Sequence, residues 1–153
     1  TPDVWAIMEH FGFPGMKVLL FAFDESLPRN AYAPHNHTKN AVVYTGTHDN
    51  NTARVWFENE LGDQDRARLS RYLGREVNAD TVHRELIRLA LMSVADTAIV
   101  PMQDLLGLGE GARMNRPATE QSNWQWRLAP EQLTAPLAKE LQELTELYGR
   151  APR

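Results

Sequence analysis

The sequence contains no cysteine. Disulfides, thiolate nucleophiles and thiolate metal ligands are therefore excluded. It has no apolar run approaching the roughly 20 residues that a membrane-spanning helix needs, and no signal-peptide pattern. No membrane partner is expected, and the expected location is cytoplasmic. It also lacks any Lys/Arg-rich run: 16 basic residues face 20 acidic ones, for a net charge of -4. That balance argues against a nucleic-acid partner while leaving small neutral ligands open. There is no internal repeat and no low-complexity segment. There is no initiator methionine either, since the chain opens on Thr1, as expected of a fragment or a processed product. What is present is 153 residues, 42% apolar and 24% charged. This is the composition of one globular unit with a sizeable core.

Periodicity places the elements. Val4, Ile7 and Met8 fall at helical spacing, so a short helix is predicted over the first ten residues. Two glycines and a proline between Phe11 and Gly15 break it. "MKVLLFAF", Met16 to Phe23, is a near-continuous apolar run, which suits a strand buried on both faces of a parallel sheet. Residues 24–40 read as loop, and "AVVYT", Ala41 to Thr45, as a second buried strand. Asn50 or Asn51 can cap a helix running to about Leu61. Gly62-Asp63 interrupts it, and a further helical piece runs to about Leu73. Asn78 to Ser93 reads as a helix whose apolar face carries Val82, Leu86, Leu89, Ala90 and Val94. "AIVPM", Ala98 to Met102, is a third apolar stretch, and its proline marks a strand end. Residues 107–127 read mostly as loop. A last helix opens at Pro130-Glu131, with Leu133, Leu137, Leu141, Leu144 and Tyr148 as its buried stripe. Strands alternating with helices predict an α/β fold with a parallel sheet. Only three strands are visible, whereas a closed eight-stranded barrel takes roughly 250 residues.

Each apolar run ends in reactive side chains: Asp24 and Glu25, then His48 and Asp49, then Gln103 and Asp104. In parallel α/β folds the carboxyl ends of strands carry the catalytic groups, so an acidic, polar bowl is expected. Tyr32, Trp124 and Trp126 offer flat apolar surfaces of the kind sugars stack on. One of the two alternating tryptophans is expected in the core and the other half exposed. Plainer readings stand beside these. A carboxylate after a strand also serves as a turn former, and Asp49 also fits a helix cap. His35 and His37 in "PHNH" invite a metal, but two loop histidines without a third placed ligand read as solvated. "GLGEG" at 107–111 lacks the lysine of a phosphate loop. On the residues alone, an α/β enzyme segment with a carboxylate-rich site and a metal-dependent hydrolase centred on His35, His37, His48 and Asp49 both fit.

Four motifs narrow this. "FGFPGMKVLLFAF", "YAPHNHTKNAVVYTGTHDNNT", "VADTAIVPMQDLLGLGEGARMN" and "SNWQWRL", in that order, resemble the carboxyl-terminal part of the 4-alpha-glucanotransferases (amylomaltases, or disproportionating enzymes), glycoside hydrolase family seventy-seven. The resemblance covers nearly the whole chain and is weakest over residues 62–85. It implies the carboxyl-terminal portion, about the last three strands and helices, of a (β/α)8 barrel, so that residues 1–153 form one incomplete domain. It implies transfer of α-1,4-glucan segments between maltooligosaccharides with retention of configuration, and no cofactor or metal. Retention uses a carboxylate nucleophile and a carboxylic acid/base about 5–5.5 Å apart.

By the same resemblance Asp49 is the third carboxylate, holding hydroxyls of the sugar at the cleavage point. His48 binds that sugar, and Asn115 lines the acceptor side. The nucleophile and the acid/base belong to motifs upstream of Thr1, so the isolated chain is expected to be inactive. It is also expected to self-associate through uncovered strand surfaces. Two positions depart from the family pattern. Asn51 stands where a second aspartate is usual, and "ARMNRPA" carries Arg116 and Ala118 where a smaller residue and a glycine are common. The competing reading within this frame is a non-catalytic glucan-binding or interaction module.

Overall fold

Residues 1–152 are described in a computed structural model. Two of the apolar runs and the stretch before Pro101 become strands: β1 (Gly15–Val18), β2 (Ala41–Tyr44) and β3 (Thr97–Ile99). They form one parallel sheet in the order β1-β2-β3. Gly15 pairs with Ala41 and Val18 with Tyr44; Val42 pairs with Thr97 and Tyr44 with Ile99. Side chains alternate along a strand. This register therefore puts Met16, Val18, Val42, Tyr44 and Ile99 on one face, and Lys17, Ala41, Val43 and Ala98 on the other.

The two faces differ. Ala41 and Val43 are fully buried, whereas Met16 is 55% and Ile99 44% exposed. Burial on both faces was the sequence expectation; the second face is instead only partly covered, with Val18 buried, Val42 and Tyr44 half-buried, and Met16 and Ile99 exposed. An apolar run records what a face is able to bury, not what covers it.

The helices are α1 (Pro2–Phe11), α2 (Ala53–Val55, continuing as a π-helical turn to Glu60), α3 (Asp63–Leu73), α4 (Val82–Met92), α5 (Met102–Leu105) and α6 (Ala135–Leu147). Between β1 and β2 the chain makes only two single 3-10 turns, and α2 to α4 all lie between β2 and β3. The core gathers Leu19, Phe23, Val43, Leu69, Val82 and Leu86. Phe23 packs at 5.7 Å from the Tyr72 ring and 6.4 Å from that of Trp56. Fully burying one such side chain stabilises the fold by about 1.5–3 kcal/mol. No helix among the described residues is long and apolar enough to cross a membrane.

Several boundaries move. The first strand ends at Val18, and Leu19–Phe21 coil into a 3-10 turn while Leu19 and Leu20 stay buried. The helix after β2 is capped by Thr52, whose hydroxyl accepts from Val55 N at 3.4 Å, not by Asn50 or Asn51. Val94 lies beyond the end of α4 and is exposed. Pro101 caps α5 instead of ending a strand. Thr134 caps α6 after a separate turn at Pro130–Gln132. Leu137, Leu141, Leu144 and Tyr148 are half-buried and Leu133 is exposed, so the stripe is only partly covered.

Candidate active site

β2 delivers its carboxyl end into the loop 46–52. A Cβ at Gly46 would come 2.9 Å from Leu20 Cδ1, so a larger residue there requires the buried Leu20 side chain to shift. The loop then closes on itself. Asn50 Oδ1 accepts from both Thr47 N and Thr47 Oγ1 at 2.9 Å, and Asn50 N donates to Thr47 O at 3.2 Å. A side-chain oxygen that satisfies backbone two or three residues away builds a tight turn without a helix. His48 and Asp49 occupy its tip with side chains 54% and 48% exposed, and His48 Nε2 lies 3.4 Å from Asp49 Oδ1.

A second loop, after α5, lies along this tip. Asn115 N donates to His48 O at 3.0 Å, and Asn115 Nδ2 donates to Asp49 Oδ1 at 2.6 Å. Arg113 Nη2 donates to the Asp49 carbonyl at 2.6 Å while its Nε donates to the Asn115 carbonyl at 2.8 Å. Trp124 N donates to Met114 O at 2.7 Å, which sets the indole 5.0 Å from the His48 ring at 39°. A cavity of about 380 Å³ opens beside them, with Met16, Tyr44, Ile99, His48 and Trp124 among its walls. Apolar walls with a few directed polar groups suit a neutral, hydroxyl-rich ligand. A larger groove of about 800 Å³ lies between α4, α5 and α6, away from these residues.

The other strand-end groups are used differently. Asp24 accepts from Ser26 Oγ at 2.6 Å, from Ser26 N and from Asn30 Nδ2. The Ser26 hydroxyl is the main cause that holds its carboxyl below the usual range, and it forms a turn. Asp104 and Gln103 are buried. Asp104 accepts from Thr45 Oγ1 at 2.6 Å and from Ala53 N at 2.7 Å. Glu25 is exposed in the same turn as Asp24, so of the three strand-end pairs His48 and Asp49 are the ones the Asn115 loop meets. Tyr32 packs edge-on against Phe21 at 5.5 Å.

His37 is buried, against the expectation of a solvated loop histidine. Its Nδ1 pairs with Ser93 Oγ at 2.7 Å and its Nε2 with the Tyr32 carbonyl at 2.8 Å. His35 pairs with the Tyr72 hydroxyl at 3.1 Å. Both histidines are thus engaged away from Asp49. Among the described residues no group of three or more His, Cys, Asp or Glu side chains is placed to hold a metal ion.

A family model described as 4-alpha-glucanotransferase matches residues 1–134. The chain belongs to the 4-alpha-glucanotransferase family. It is 51% identical to the 4-alpha-glucanotransferase of Synechocystis sp. over 151 residues, covering 98% of this chain and 29% of the relative. It is 45% identical to that of Streptococcus pneumoniae, again covering 98% of this chain and 29% of the relative. An amylomaltase from Streptococcus agalactiae, solved in complex with acarbose, superposes with a TM-score of 0.92 at 36% identity, covering 99% of this chain and 30% of that one. The chain thus spans less than a third of the length of these relatives. The resemblance read from the four motifs is borne out, and so is the α/β class with a parallel sheet.

Against this 4-alpha-glucanotransferase background, the structure brings His48, Asp49 and Asn115 side by side. Arg113 was not foreseen; one arginine in a glycine-rich loop carries no signal until the fold lays it beside the Asp49 carbonyl. Trp124 was foreseen as a flat surface, not as the neighbour of His48. It is half exposed and Trp126 is partly buried, so neither is a core residue. Ala118 has φ 61°, a left-handed conformation that a non-glycine residue adopts at a cost of about 1–2 kcal/mol. This is where the family pattern suggested glycine.

Proposed function

We propose that the parent protein is a 4-alpha-glucanotransferase, and that this chain is the carboxyl-terminal portion of its (β/α)8 barrel. Its substrates are maltooligosaccharides or other α-1,4-glucans. The observation that carries the reading is the Asp49 carboxylate, half exposed at the carboxyl end of β2 and oriented by the Asn115 amide at 2.6 Å. In barrel enzymes this end of the strands faces substrate. Asp49 holds hydroxyls of the sugar at the cleavage point, and these bonds tighten as the ring flattens towards an oxocarbenium-like state. His48 binds the same sugar, and Asn115 borders the acceptor.

Transfer with retention proceeds through a glycosyl-enzyme, which a sugar hydroxyl then attacks in place of water. Asp49 lies beside Asn115, His48, Arg113 and Thr47, none of which supplies a second carboxyl group. The nucleophile and acid/base are assigned to the remainder of the parent, because no motif of this chain resembles those that carry them in the family. The test compares the two proteins on maltotriose, with products followed by chromatography. The full-length parent is expected to release glucose and longer maltooligosaccharides, and the folded 153-residue chain to release neither. A parent that forms no longer products refutes the assignment, and transfer by the isolated chain refutes the placement of the catalytic pair.

A further inference from the structure

One buried group at this site has no role in the reading above. Asp104 sits in α5, is 2% exposed, and spends its two oxygens on opposite ends of a single loop. Oδ2 accepts the hydroxyl of Thr45, the fully buried residue that follows β2. Oδ1 accepts the amide N–H of Ala53, the first residue of α2. Between the two pins lies only the loop 46–52 with His48 and Asp49 at its tip. The Thr47–Asn50 bonds make that tip a closed turn, so a shift at either pin carries Asp49 with it.

The chemistry of the pins argues for a carboxylate. Here the Thr45 hydroxyl and the Ala53 amide each donate to one oxygen, and an apolar side chain in the same place would leave the Ala53 N–H without its acceptor. A buried carboxylate without a cation is costly. Burial indeed pushes the Asp104 carboxyl up, opposed by the Ala53 amide and the Thr45 hydroxyl. A residue that only filled space would be apolar.

We propose that Asp104 is a positioning residue for glucan transfer: its carboxylate clamps both ends of the active-site loop and so sets where Asp49 and His48 meet the sugar. The proposal rests on the Asp49 reading. Because the Asp49 bonds strengthen in the transition state, loosening the clamp lowers kcat more than it changes KM. A displacement of about 1 Å costs roughly 100-fold.

The test uses the full-length protein and maltotriose transfer, at a temperature where every variant is folded by circular dichroism. Asp104→Ala, which removes both acceptors, is expected to lower kcat about 100-fold. Thr45→Val, which keeps the shape and removes the donor, is expected to lower kcat at least about tenfold, with KM within about twofold. Thr45→Ser, which restores the donor and loses a methyl, is expected to recover most of kcat even where its melting temperature falls. A purely structural role would make kcat indifferent to the hydroxyl. If Asp104→Ala does not fold, the Thr45 pair decides. Wild-type kcat in folded Thr45→Val overturns the proposal, provided that Asp49→Asn abolishes transfer. Wild-type transfer by Asp49→Asn overturns the Asp49 reading and this proposal with it.

Discussion

Asn115 gives the sharpest graded prediction. Its backbone N–H is bonded to the His48 carbonyl and survives substitution, while its side-chain amide alone meets Asp49 Oδ1 at 2.6 Å. Replacement by alanine therefore removes one charge-assisted bond and leaves the loop in place. Such bonds contribute about 1.5–3 kcal/mol, and the half-exposed setting favours the lower end. About 1.4 kcal/mol is a factor of ten, so Asn115→Ala should lower kcat/KM for maltotriose about tenfold. Asn115→Asp loses the same bond and sets a like charge about 3–4 Å from Asp49, adding about 1–2 kcal/mol of repulsion at a dielectric near that of water. The expected loss is then about 100-fold or more. Steady-state transfer kinetics on the full-length protein supply the ratio. The reasoning is refuted if Asn115→Asp transfers as well as Asn115→Ala, or if both remain within twofold of wild type.

Three further outcomes follow from the same geometry. Gly107 has φ 61°, and a Cβ there would come 2.7 Å from Cε1 of buried His83. Gly107→Ala should cost about 2–4 kcal/mol, from left-handed strain and displacement of the ring; an unchanged melting temperature contradicts this. His37 is held below the ordinary histidine value mainly by burial, with Lys17 and His35 adding to it and the Tyr32 carbonyl opposing. His83 is lowered likewise, first by burial and then by Arg84. The unfolded chain therefore takes up these protons first, so the stability they contribute is complete above about pH 6.5 and is lost as pH falls from there. The denaturation midpoint should drop between about pH 7.5 and pH 5.5, and His37→Gln should flatten the drop; equal slopes would refute it. The partly covered sheet face with Met16 and Ile99, and α1 with Trp5 and Phe11 exposed, should make the isolated chain self-associate. Light scattering at the monomer mass across concentrations would count against that.

The legible parts of this molecule are those where one residue type has one use. The runs around Val18 and Val43 mark the sheet because a short apolar run bounded by turn formers fits a strand with at least one buried face. Their ends were not legible. Leu19 and Leu20 are as buried in a 3-10 turn as they would be in a strand, so hydropathy does not separate the two. Asn50 is as good a cap as Thr52 by composition. It builds the Thr47 turn instead, its side-chain oxygen accepting from Thr47 N and Thr47 Oγ1. At the site, the His48–Asp49 pair and Asn115 were legible through their motifs. The bonds from Arg113 and Asp104 join segments far apart in sequence, and local pattern has no access to such pairings.

In the proposed role Asp49 takes hold of the sugar as it approaches the transition state. The most direct measurement is the turnover of maltotriose by full-length Asp49→Asn. The substitution keeps the shape and an acceptor oxygen while removing the charge. Hydrogen bonds that strengthen in the transition state supply several kcal/mol, so kcat should fall about a thousandfold or more with the melting temperature nearly unchanged. Turnover within tenfold of wild type by a folded variant would contradict the account.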